Sequence, residues 1–213
     1  MEGPTNFIEI PGYAEALRRE DRLRRQAWTG TTDLIAGVTI RPLTWRDIET
    51  LAELRNGFFC PWKFETDGEY LGHCAHLVWW LSDCRKPAQR GESRLGMIIV
   101  EAQKARIIRH LGKHPSELVE GVMRFLSDTF ADGPRGGGST GRGTTIAGGP
   151  AYIADTMAAA GYSFTIDQLL DMPVTRLFQL LRLANRRLYN APAVNQSDII
   201  ASDYLAQINA GKN

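Results

Sequence analysis

Apolar residues recur along this chain at spacings of three and four far more often than they alternate, so the pattern predicts helices almost throughout. From about Gly68 to Asp83, with Asp67 as the expected cap, Leu71, Cys74, Ala75, Val78 and Leu81 fall on one stripe and His73, His76, Trp80 and Asp83 on another. A helix apolar or aromatic on two sides belongs between neighbours. The clearest helix is Pro173 to Tyr189. Val174, Leu177, Phe178, Leu181, Ala184 and Leu188 mark its inner side, and Arg176, Arg182, Arg186 and Arg187 are its only charges.

The other segments follow from start and stop signals. Gly37 to Leu43 reads as a short extended run ending at Pro42, and Thr44 with Asp47 three residues on opens a helix that Asn56-Gly57 stops. LGMIIV from Leu95 could be a buried strand taken alone, but EAQKARIIRHLG continues it best as one helix to Leu111. Pro115 suits the first turn of a helix to about Phe130, with Leu118, Val122, Phe125, Leu126 and Thr129 inward. Short helices are expected from Ala151 to Ala160 and after Ser163 and Thr165, and a last one starts at a Ser197 cap and packs Ile199, Ile200, Leu205 and Ile208. The fold class is all-α: a small helical domain followed by a C-terminal helical subdomain.

The expected organisation has four parts. Residues 1–36 form a polar arm whose helix, about Ala14 to Trp28, carries five arginines and reads as solvated. Residues 37–131 form the helical core, residues 132–149 a Gly-rich linker holding eight of the 21 glycines, and residues 150–213 the C-terminal subdomain.

Composition narrows the function classes. Lys+Arg 25 against Asp+Glu 24 gives a net charge of +1, which offers no global attraction to nucleic acid or to an anionic membrane. No stretch approaches a spanning helix, and the start lacks the layout of a signal peptide, so a soluble, cytoplasmic protein is expected. Three cysteines are an odd number and do not form a disulfide framework.

Candidate chemistry weighs against an enzyme. The Gly136 to Gly141 run could wrap an anion, but Arg142 and Gly143 follow where a phosphate-binding loop needs Lys then Ser or Thr. Cys60, His73, Cys74, His76 and Cys84 supply ligand types for zinc, yet their spacing lacks the close pairs of a zinc finger. His110 and His114 are four apart without the Glu of a metalloprotease helix, and Ser139 lacks a nucleophile-elbow setting. No catalytic residue, cofactor or metal is therefore expected. The surface nominated for protein contact is the aromatic set Phe58, Phe59, Trp62 and Phe64 with Trp79 and Trp80, joined by Arg182 and Arg186. For Trp79 and Trp80 the competing reading is core packing.

Two segments, VTIRPLTWRDIETLAELRNGFFCP followed by a helix with LVWWLSD, and AYIADTMAAAGYSFTIDQLLDMPVTRLFQLLRLANRRL, resemble tail assembly chaperones of tailed bacteriophages. The resemblance implies a small, mostly helical, non-enzymatic protein of the host cytoplasm. It would bind the tape-measure protein, help recruit the tail-tube protein, and leave before the virion is complete. A homo-oligomer is compatible with this role. Two alternatives stay open: a structural or adaptor protein of the phage tail or connector, and a metal-binding enzyme or sensor built on the Cys60 to Cys84 cluster.

Overall fold

The computed structural model describes residues 10–29, 33–61, 63–82, 94–131, 149–189 and 196–210. Among them the fold is all-α, with a single two-stranded hairpin. The elements are α1 (Tyr13–Thr29), β1 (Asp33–Ile35), β2 (Val38–Ile40), α2 (Trp45–Glu53), α3 (Asp67–Leu81), α4 (Arg94–Leu111), α5 (Pro115–Thr129), α6 (Gly149–Ala159), α7 (Ile166–Leu170), α8 (Val174–Tyr189) and α9 (Gln196–Ala210). The expected linker, apart from Gly149, lies outside the described residues.

The hairpin closes through Ala36 and Gly37, at φ of 45° and 77°. Two left-handed residues make the tight turn that matches strand twist. The extended run expected from Gly37 is thus β2, and β1, which sequence reading did not find, is its partner; the boundary expected after residue 36 falls inside the turn. The hairpin lies so close to α5 that a Cβ on Gly121 would sit 2.8 Å from Ile35 Cγ2.

Helix α2 starts as expected, with Thr44 and Asp47 forming a reciprocal capping box. It ends in a Schellman motif, in which Arg55 at φ 56° donates to the Ala52 carbonyl at 3.0 Å and Asn56 N–H donates to the Leu51 carbonyl at 2.8 Å. Helix α3 packs against α5, α4 and β2, which accounts for its two non-polar sides. Its cap is Thr66, whose hydroxyl accepts from Glu69 N–H, and Asp67 is the first helical residue instead. Similarly, α9 begins at Gln196, so Ser197 lies within the helix and is not its cap.

The polar arm is the main correction. Helix α1 buries Ala16, Leu23 and Ala27 and packs against α8, α9 and α5. Arg19 and Arg22, on its apparently solvated side, both pair with the buried Asp128 of α5, at 2.9 Å and 2.6 Å. A narrow apolar stripe suffices here because charged contacts flank it.

One stretch of chain ties the two helical portions together. Arg41 N–H donates to the Leu81 carbonyl at 3.0 Å, and Val174 N–H, at the start of α8, donates to the Leu43 carbonyl at 2.8 Å. Arg46 of α2 then reaches Asp171 at 2.6 Å and Asp167 of α7 at 3.0 Å. Beneath these contacts, a continuous core runs from Ile35, Leu51 and Val78 to Ile153, Met157 and Phe178.

Candidate interaction surface

The loop between α2 and α3 hangs on Asn56, which is fully buried. Its Oδ1 accepts from Phe58 N–H at 3.2 Å, so its amide nitrogen is the donor toward the His73 carbonyl at 3.2 Å and His76 Nδ1 at 3.4 Å. Gly57 N–H donates to His73 Nδ1 at 3.2 Å. Both imidazoles therefore use a neutral nitrogen as acceptor to orient the loop.

That loop gathers part of the nominated aromatic set. The Phe58 ring lies 5.7 Å from Phe64 and 5.6 Å from Tyr70, and Phe64 lies 5.0 Å from Tyr70 and 5.5 Å from His73. Tilted and edge-on rings at these separations attract one another. Phe58 and Phe59 are half-buried and pack against the core. Trp62 lies outside the described residues.

Trp79 and Trp80 take the competing reading: they are 8% and 7% exposed and belong to the core. Trp80 Nε1 donates to the buried Asp47 at 2.9 Å. Trp79 is stacked on His76 at 5.9 Å and covered by the Lys104 ammonium at 4.7 Å. Neither offers a face to a partner. Arg182 is half-buried and Arg186 exposed on α8, a different element from the aromatic loop; their neighbour Arg187 stacks over Tyr162 at 4.9 Å.

The candidate chemical groups are held in structural pairs. Asp47 accepts from Arg41 at 2.6 and 2.7 Å and from the Thr44 hydroxyl and N–H at 2.7 and 3.0 Å. Burial alone would raise its carboxyl pKa, but the hydrogen bonds and charge of Arg41 together with the Thr44 bonds hold it below the usual value. Burial pushes the Cys74 thiol up to about 12, which leaves it an inert core group at neutral pH. His110 and His114 do approach, at 5.3 Å between rings, yet His110 Nε2 meets the Ala36 carbonyl at 2.9 Å and His114 Nδ1 lies 3.6 Å from Glu117. Among the described residues no group of three or more His, Cys, Asp or Glu could hold a metal ion; Cys84 lies outside them. No described helix is long and apolar enough to cross a membrane.

The accessible apolar surface lies elsewhere. On α4, Val100 and Ile107 face the core, whereas Ile98 is 65% exposed and Ile108 is 39% exposed. On α1, Trp28 is 48% exposed, with the Arg176 guanidinium over its ring at 4.7 Å and Gln179 accepting from its Nε1 at 2.8 Å. Periodicity signals apolar positions on both sides of α4, but which side lacks a neighbour depends on packing that sequence spacing does not encode. Compared with known proteins, the chain matches no family model, no curated protein and no solved structure.

Proposed function

We propose that this protein is a non-enzymatic tail assembly chaperone that binds the tape-measure protein and helps recruit tail-tube subunits. The observation that carries the reading is a helical body with large apolar side chains exposed on several helices, Trp28 on α1, Ile98 on α4 and Tyr189 on α8. Exposed apolar residues on helices suit contacts with other amphipathic helices, the form an unassembled tape-measure protein would present. The polar groups support the same reading, because Asp47, Asp128 and Arg46 are engaged in holding the fold. The segment resemblance described above supplies the client.

Co-expression tests this. The tape-measure protein encoded with this chain is expected to stay soluble and to co-purify with it, and mature particles are expected to lack the chain by mass spectrometry. A tape-measure protein that remains insoluble and unbound would refute the chaperone. A stoichiometric presence in particles would identify a structural adaptor instead.

A further inference from the structure

We propose that α1 is an exchangeable arm: the groove it fills on α5, α8 and α9 also takes α1 of a second copy of this chain, so that two chains are joined by reciprocal arms. The helix is suited to hold its shape away from the body. It is 17 residues long, about 25 Å, is rich in the helix formers Ala, Leu, Arg and Glu, and carries its own ion pair between Asp21 and Arg25 one turn apart. Its grip on the body uses few large apolar groups. Ala16, Leu23 and Ala27, which fall within about 40° of one another around the helix, are the buried side chains among those described on α1. Two of the three are alanines, so leaving the groove gives up little apolar burial.

Polar contacts on both flanks of that stripe decide which helix the groove accepts. On one side, Arg19 Nε and Arg22 Nη2 reach the two carboxylate oxygens of Asp128 at 2.9 Å and 2.6 Å, and Arg19 also donates to the Ser127 carbonyl and hydroxyl at 3.1 Å and 3.0 Å. On the other, the Trp28 indole N–H donates to Gln179, and the Arg176 guanidinium lies over the Trp28 ring. Asp128 stays on α5 when α1 leaves, and its two oxygens are placed to receive two guanidiniums one turn apart on a helix. Every copy of the chain carries that helix. The elements that receive α1 all lie far along the chain from it, so the same contacts form across two copies as within one. The seam also contains a fault that favours opening. Arg176 Nε, in the guanidinium over Trp28, is buried and has no hydrogen-bond partner among the described residues. Opening the seam returns that donor to water.

Closed and exchanged chains make the same contacts, so concentration sets the balance between them. A chain keeps its own arm when dilute, and exchange takes over near the effective concentration of a short tether, on the order of 1 mM. The first test is in trans, with a fluorescein-labelled peptide of Tyr13–Thr29 and the full chain. The arm variant Arg19→Asp, Arg22→Asp sets like charges against Asp128 and frees the groove; both side chains are partly exposed, and circular dichroism is the folding control. By anisotropy, the peptide is expected to bind the arm variant at least about tenfold more tightly than the wild-type chain, whose own arm competes. A peptide carrying the same two substitutions is expected to lose that binding. The second test is reciprocity. Asp128→Arg and the arm variant are each expected to be monomeric alone, with fast amide exchange over Tyr13–Thr29. Mixed in equal amounts they are expected to double in mass by light scattering and to slow that exchange, because each arm then meets the opposite charge on the other copy. If Asp128→Arg does not fold, the wild-type chain at about 1 mM takes its place, with a dimer expected that the arm variant lacks. Equal peptide binding by the arm variant and the wild type, no binding to the arm variant, a folded mixture that stays monomeric, or a wild-type chain wholly monomeric at about 1 mM would overturn the exchange. So would a wild-type dimer that persists in the arm variant, since another surface would then join the copies.

Discussion

Trp80 Nε1 donates to Asp47 Oδ1 at 2.9 Å, and the same carboxylate closes the capping box of α2 and takes both ends of the Arg41 guanidinium. One buried side chain thus joins the strand exit, the start of α2 and the end of α3. Removing it takes this one acceptor away from Arg41, Thr44 and the indole N–H together. Asp47→Ala is expected to cost about 2–3 kcal/mol and Trp80→Phe about 1 kcal/mol, read as denaturation midpoints.

The same carboxylate sets a pH dependence. Its folded-state pKa is lowered, so its contribution is complete above the unfolded value of about 4 and lost as pH falls through the lower folded value. Melting temperatures of Asp47→Asn are expected to fall less steeply than wild type below pH 4, from a lower starting point.

At Gly121 two effects oppose each other. Alanine raises helix propensity by about 1 kcal/mol. Its Cβ would meet Ile35 Cγ2 at 2.8 Å and Cγ1 at 3.3 Å, in a β-branched side chain that cannot swing away. The clash is expected to win, so Gly121→Ala should lose about 1–2 kcal/mol by chemical denaturation, and Ile35→Ala in the same chain should recover part of the gap between Gly and Ala.

Arg55 occupies a left-handed conformation at the C-terminus of α2, where glycine is unstrained. Arg55→Gly is expected to raise stability by about 0.5–1 kcal/mol, seen as a melting temperature higher by about 1–4 °C.

Helix α1 depends on Asp128. Asp128→Ala leaves Arg19 and Arg22 without their carboxylate, and both are partly exposed, so the loss is local. Limited proteolysis is expected to cut within Tyr13–Thr29 faster than in wild type while the rest of the chain stays resistant.

What could be read from the sequence divides along a physical line. Local signals were sufficient for α2, α5 and α8, where a capping box, a first-turn proline and a long apolar stripe act within a few residues. Near-equivalent caps were less clear: Thr66 and Asp67 are both good cap residues, and the hydroxyl makes the bond. Long-range partners left no local trace. The arginines of α1 look solvated until Asp128 is placed 109 residues from Arg19, and strand β1 is three residues long and recognisable only beside β2. The division of the aromatic set between loop and core has a related reason. Burial of Trp79 and Trp80 follows from what α3 packs against, whereas residue type alone suits core and interface equally.

The most direct measurement of the proposed role is hydrogen–deuterium exchange of this chain with and without the tape-measure protein. In the complex, peptides spanning Arg94–Leu111 are expected to exchange more slowly, while the α3 peptides around Trp79 and Trp80 stay unchanged because that face is already covered. An exchange pattern that is the same with and without the tape-measure protein at saturating concentration would contradict a chaperone that works through its exposed helical faces.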